Sequence, residues 1–184
     1  MTRFAFLHHS AFLQVPPARG DEPFALAGIA WDGSTTHRPG ARLAPAAIRQ
    51  ASHALCDGWH PWFDCTPVGQ LADLGDLSLP NTALGAMREA LAPQLPALLA
   101  RHHMVWLGGD HSITLPLLRA YRAHLGQPLA VVHFDAHCDT WSDHFGEPSG
   151  HGTWVYEAVE EGLVRPEGFV QFGIRSAAEP AARD

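Results

Sequence analysis

The sequence predicts an α/β fold in three layers, α/β/α, with a mainly parallel sheet. Two observations carry that prediction. Short apolar runs alternate with segments of helical spacing along the chain, the pattern of strands joined by crossover helices. Two of the runs, residues 104–107 and 129–134, end in potential metal ligands. Open parallel sheets place their sites at the carboxyl ends of their strands.

Residues 1–23 form an N-terminal arm of mixed composition, with Pro16-Pro17 and Gly20-Asp21-Glu22-Pro23. Residues 24–30 are a first strand, and the polar, Gly-rich stretch 31–44 is a loop at its carboxyl end. Pro45 suits the first turn of a helix that runs to about His53. Residues 56–66, with Trp59, Trp62 and Phe63, are irregular and expected to cover an edge. A second strand spans 68–74. Over 82–101, Leu84, Met87, Leu91, Leu95 and Leu98 recur at helical spacing, and Pro93 and Pro96 predict a kink or two short helices. After the third strand, 104–107, Ser112 can cap a helix that reaches about Leu125, with Pro116 in its first turn. The fourth strand is 129–134, followed by a polar loop at 139–152 and a helix at 153–161 stopped by Gly162. A fifth strand spans 169–174, and the rest is Ala-rich and polar.

The fourth strand runs into Asp135, His137 and Asp139, three potential ligands at alternate positions. In an extended backbone, side chains two apart share a side, which aims two carboxylates and an imidazole into one space. Neighbouring carboxylates repel, and a divalent cation removes that repulsion. Carboxylate with imidazole suits manganese, iron or zinc. The third strand ends in Gly108-Gly109-Asp110-His111-Ser112 and delivers a further imidazole to the same edge. An isolated strand-end Asp or His is commonly a solvated loop residue; the pair of motifs is what points to a metal. Cys138 alternates away from the ligands and is assigned to packing.

Gly-Gly-Asp-His-Ser followed by Asp-Ala-His-Cys-Asp resembles the ureohydrolases, the binuclear manganese enzymes that include arginase and agmatinase. Gly28-Ile29-Ala30-Trp31-Asp32-Gly33, Arg38-Pro39-Gly40-Ala41-Arg42, Pro45-Ala46-Ala47-Ile48-Arg49, His151-Gly152-Thr153 and Gly173-Ile174-Arg175 extend the resemblance toward the agmatinase branch. The resemblance implies an arginase-like fold. It implies hydrolysis of a small guanidino substrate to urea and an amine, with two Mn2+ ions activating water. His111 and Asp139 then match ligands of one ion, His137 a ligand of the other, and Asp135 a bridging ligand. His151 matches a non-ligand histidine that handles protons. Arg49, Asp110 and Arg175 are read as structural.

The family's third metal motif, Ser-x-Asp-x-Asp-x-x-Asp-Pro, does not occur, so four of the usual six ligands are here. The resemblance also places two further strands between the third and the fourth, which would otherwise lose their common neighbours. The 184 residues are therefore expected to form a single ureohydrolase domain, incomplete at its C-terminus, with weak metal binding and little activity. Other readings are an arginase, a guanidino-acid hydrolase or a formiminoglutamase, a one-zinc histone-deacetylase-like hydrolase, and a non-catalytic relative that binds a homologue.

Composition narrows the classes. A net charge of −7 argues against a nucleic-acid partner. Three cysteines, Cys56, Cys65 and Cys138, make no disulfide framework. The amino terminus lacks the pattern of a signal peptide, and no apolar run would span a bilayer. A cytoplasmic enzyme without a membrane partner is expected, homo-oligomeric when the domain is complete.

Overall fold

The computed structural model describes residues 10–55 and 58–177; the start of the expected arm, Cys56 and the end of the Ala-rich tail lie outside them. Along the described residues run β1 (Phe24–Gly28), α1 (Ala44–Ser52), β2 (Leu71–Asp76), α2 (Leu84–Leu91), α3 (Leu95–Leu99), β3 (His103–Leu107), α4 (Thr114–Leu125), β4 (Leu129–Phe134), α5 (Trp154–Glu160) and β5 (Val164–Phe172). Each pairing among these strands is parallel. The sheet is in two pieces, one ordered β2-β1-β3 and the other β4-β5. The two strands that lead into the ligand motifs, β3 and β4, are not hydrogen-bonded to each other.

Alternation along β1 sorts the first core. Ala25 and Ala27 pack with Met87, Leu91, Leu95, Leu99 and Leu117 of α2, α3 and α4. Leu26 points the other way and joins Leu71, Leu107 and Phe12. The helix α1 lies over that second face, where a side chain at Gly28 would strike Asp76 and Pro45. Arg49 of α1 is fully buried and pairs with Asp73 (2.8 Å) and Asp76 of β2. Helices therefore flank this piece on both sides, as a three-layer fold requires. The second piece is covered on one face, where Leu115, Trp154, Val155 and Ala158 of α4 and α5 pack with Leu129, Val131 and Phe169. On its other face Val132, Phe134, Val170 and Phe172 are exposed.

Several boundaries differ from the sequence reading. The two prolines divide the 82–101 helix into α2 and α3, with Pro96 in the first turn of α3. Ser112 does not cap α4. Asp110 instead caps a 3₁₀ turn, His111–Ile113, its carboxylate accepting the Ser112 N–H at 3.0 Å. The Ser112 hydroxyl donates to that carboxylate and accepts from Trp31 Nε1 at 3.2 Å. β5 begins at Val164 rather than at residue 169; it is an edge strand, where Pro166 is tolerated. Trp62 and Phe63 are exposed rather than laid over an edge. Gly162, at φ +62°, ends α5, and the Leu163 N–H reaches the Ala158 carbonyl at 2.9 Å. No described helix is long and apolar enough to cross a membrane.

Candidate metal centre

The turn after β3 is built around Gly109. Its φ is +73°, and a Cβ there would lie 2.4 Å from the Trp31 carbonyl oxygen and 2.6 Å from that of Ile29. Only glycine allows this close approach to the end of β1. The Asp110 N–H then bonds the Trp31 carbonyl at 2.8 Å. The Asp110 carboxylate holds the N–H groups of Ser112 and Ser34, so it anchors the turn, and the next residue, His111, is left at the sheet edge.

β4 stays extended only to Phe134. Beyond it the backbone leaves the strand, and Asp139 sits at φ +54°. The three residues expected to share a side by strand alternation are therefore placed differently. Asp135 and Asp139 converge because the loop folds back, not because the strand continues. Nδ1 of His111 lies 2.7 Å from Oδ2 of Asp139 and 3.3 Å from Oδ2 of Asp135. The buried Asp139 is fixed by the Trp154 indole, whose Nε1–H donates to Oδ2 at 2.8 Å. The Val155 N–H donates to the Asp139 carbonyl oxygen at 3.1 Å.

His137 is exposed, and its Nδ1 lies 3.3 Å from Oδ1 of Asp135, the oxygen turned away from His111. The His137 N–H also donates to that oxygen at 2.9 Å. Burial alone would raise the Asp135 pKa. The His137 N–H, the imidazoles of His111 and His133 and the Ala136 N–H outweigh it and hold the carboxyl below its ordinary value. Asp135 thus presents one oxygen toward His111 and the other toward His137.

His133 is the residue the sequence reading missed. One ligand atom from each of His111, His133, Asp135 and Asp139 fits within 4.8 Å of the others. Its ring is buried, 5.1 Å from that of His111 and 4.9 Å from that of Trp154. Burial, then the His111 charge, lowers its pKa against the pull of Asp135 and Asp139. The signal was present in the sequence. Counting by twos back from Asp135, along the part of the chain that is a strand, lands on His133.

Beside the cluster is a cavity of about 510 Å³, lined by Thr36, His137, Asp139, Trp141, Asp143 and Phe145, with His151 and Gly152 completing the wall. His151 Nδ1 lies 2.8 Å from the Ser34 carbonyl oxygen. A carbonyl only accepts, so the neutral ring carries its proton on Nδ1 and leaves Nε2 as a free base. The loop that supplies Ser34 and Thr36 is pinned by buried Asp32, which accepts the Gly40 N–H at 2.6 Å and pairs with Arg42. Cys138 is buried away from the cluster, its sulfur accepting from the Thr140 hydroxyl at 3.2 Å. Two carboxylates meeting at one imidazole nitrogen, with no thiolate among them, fit an oxygen- and nitrogen-liganded divalent cation.

The sequence and the fold are similar to those of known proteins. A sequence model of the arginase family covers residues 22–184. The chain is 42% identical over 155 residues to the agmatinase of Chromobacterium violaceum, covering 83% of this chain and 48% of that one. It is 42% identical over 175 residues to the agmatinase of Cronobacter sakazakii, covering 90% and 56% respectively. The chain therefore spans about half the length of the curated relatives it matches. Among solved structures, a hypothetical agmatinase from Burkholderia thailandensis superposes at a TM-score of 0.85 with 34% identity, over 95% of this chain and 57% of that one. The proclavaminate amidino hydrolase of Streptomyces clavuligerus superposes at 0.83 with 31% identity, over 97% and 62%. Sequence and fold agree, and the chain belongs to the arginase family.

Proposed function

We propose that the protein to which this chain belongs is a manganese-dependent amidinohydrolase of the agmatinase type, acting in the cytoplasm on a small guanidino compound. The observation that supports it most is the meeting of Asp135 and Asp139 at Nδ1 of His111, beside an open cavity. His111 and Asp139 would hold one cation and His137 a second, with Asp135 shared between them. A bound divalent cation supplies water acidified toward neutrality, a nucleophile for a guanidinium carbon. Trp154 orients Asp139, and the His137 N–H orients Asp135. His151, with Nε2 bare, accepts a proton at the cavity wall and returns it to the leaving amine. The free cysteines Cys65 and Cys138 fit a reducing compartment.

The cavity favours a cationic tail on the substrate. Its wall carries Asp143 and the rings of Trp141 and Phe145, and no arginine lines it among the described residues. An ammonium tail meets a carboxylate and two aromatic rings there. The test is urea release from agmatine, 4-guanidinobutyrate and arginine with Mn2+ supplied. Slow release is expected from these 184 residues, with agmatine preferred. Preference for 4-guanidinobutyrate would overturn the tail assignment, and no urea from any of the three would overturn hydrolysis by this chain.

One observation favours a second reading, in which the chain binds further polypeptide, such as a homologue, instead of acting alone. The β4-β5 piece exposes Val132, Phe134, Val170 and Phe172 on one face. Manganese-dependent turnover by monomeric chain would exclude that reading.

A further inference from the structure

Gln171 of β5 determines what His133 can do. Its amide nitrogen lies 2.8 Å from the Cys138 carbonyl oxygen. Because a carbonyl only accepts, this contact fixes which end of the amide is NH2. The same nitrogen lies 3.0 Å from Nδ1 of His133. An N–H aimed at Nδ1 requires a lone pair there, so the neutral ring carries its proton on Nε2. That nitrogen is buried, and no hydrogen bond of normal geometry reaches it. Oδ2 of Asp135 is 3.4 Å away.

We propose that His133 is a positioning residue for the shared carboxylate Asp135 and not itself a metal ligand, although its Nε2 lies within the ligand cluster. A nitrogen that bears a proton has no lone pair for a cation. It can donate to Oδ2 of Asp135 after a small turn of the carboxylate. The chain of contacts runs from the Cys138 carbonyl through the Gln171 amide and the His133 ring to Asp135. It ties the loop after β4 to β5 and sets the direction in which Asp135 faces. Buried donors of this kind tune the orientation and affinity of the groups they hold.

This role presupposes the metal centre proposed above, but its first test does not. Long-range proton–nitrogen NMR on the metal-free chain at pH 8, with His133→Gln used to assign the ring, reads the tautomer directly. A protonated Nε2 with a bare Nδ1 is expected, and Gln171→Met should weaken that preference. A proton on Nδ1, or a charged ring, would overturn the proposal and leave His133 free to ligate. The tautomer result stands even if no urea is ever released, so failure of the enzymatic reading remains distinguishable.

The second test is Mn2+ affinity by calorimetry. His133→Gln keeps a donor near Asp135 and is expected to stay within about threefold of the parent chain, while His133→Phe should lose about tenfold or more. Equal loss in both variants would mark a direct ligand, and loss in neither would remove the role. Where the parent chain binds no Mn2+, the tautomer alone decides.

Discussion

His133 lies within β4 with its ring buried, whereas His137 lies beyond the strand's end and is exposed. Strand alternation is sound physics, but it applies only as far as the strand goes. β4 ends at Phe134, Asp139 turns to φ +54°, and His137 swings outward. Asp135 and His111 could be read from sequence because each directly follows a strand or its glycine turn. The way Asp139 returns to the cluster could not be read, since it depends on Trp154, fifteen residues on. Gly109 offers a clean test of the turn. Gly109→Ala should cost about 2 kcal/mol or more in thermal or chemical unfolding, because the backbone is left-handed there and the new methyl meets two carbonyl oxygens. His144 gives a pH prediction. Burial, then the neighbouring His151, lowers its pKa, while Asp110, Asp143 and Glu147 pull the other way. The folded state therefore binds a proton less readily than the unfolded chain. Stability from this group is intact above the unfolded value of about 6.5 and falls as the pH drops from there through the folded value. An NMR titration should place His144 below about 6.5.

Buried ion pairs join helix α1 to strand β2. Arg49 is fully buried, with both its carboxylate partners on β2. Burial works against the guanidinium, but hydrogen bonds and charge from Asp73 and Asp76 outweigh it and raise its pKa. Arg49→Ala would strand two carboxylates without their cation, and urea unfolding should show a loss of about 3–5 kcal/mol. That Arg49 lies on a helix is legible in the sequence, but its partners Asp73 and Asp76 are not, because ion pairs between elements leave no periodic trace. Element boundaries followed a similar rule. Prolines predicted the break between α2 and α3, while β5 ran through Pro166 because an edge strand can spare one N–H.

Across the molecule, alternating strands and helices announced the parallel α/β class, but nothing periodic announced a sheet in two pieces. That expectation came from the family resemblance, and the observed order β2-β1-β3 with β4-β5 separate agrees with it. The consequence is an uneven molecule. The first piece is covered on both faces, whereas Val132, Phe134, Val170 and Phe172 leave the second bare on one. Patches of this kind on strands promote self-association. Analytical ultracentrifugation should show concentration-dependent association, reduced in Phe134→Ser/Phe172→Ser with little change in the melting midpoint.

The indole that steadies Asp139 also makes the centre optically self-reporting. Trp154 is almost wholly shielded from solvent, hydrogen-bonded to the Asp139 carboxylate, with its ring 5.0 Å from that of His111. A paramagnetic ion held by those groups would lie within quenching distance of its excited state. Mn2+ should therefore dim the intrinsic fluorescence saturably, in proportion to occupancy. Asp139→Ala should abolish the response, so that cation binding can be followed with light and no added label.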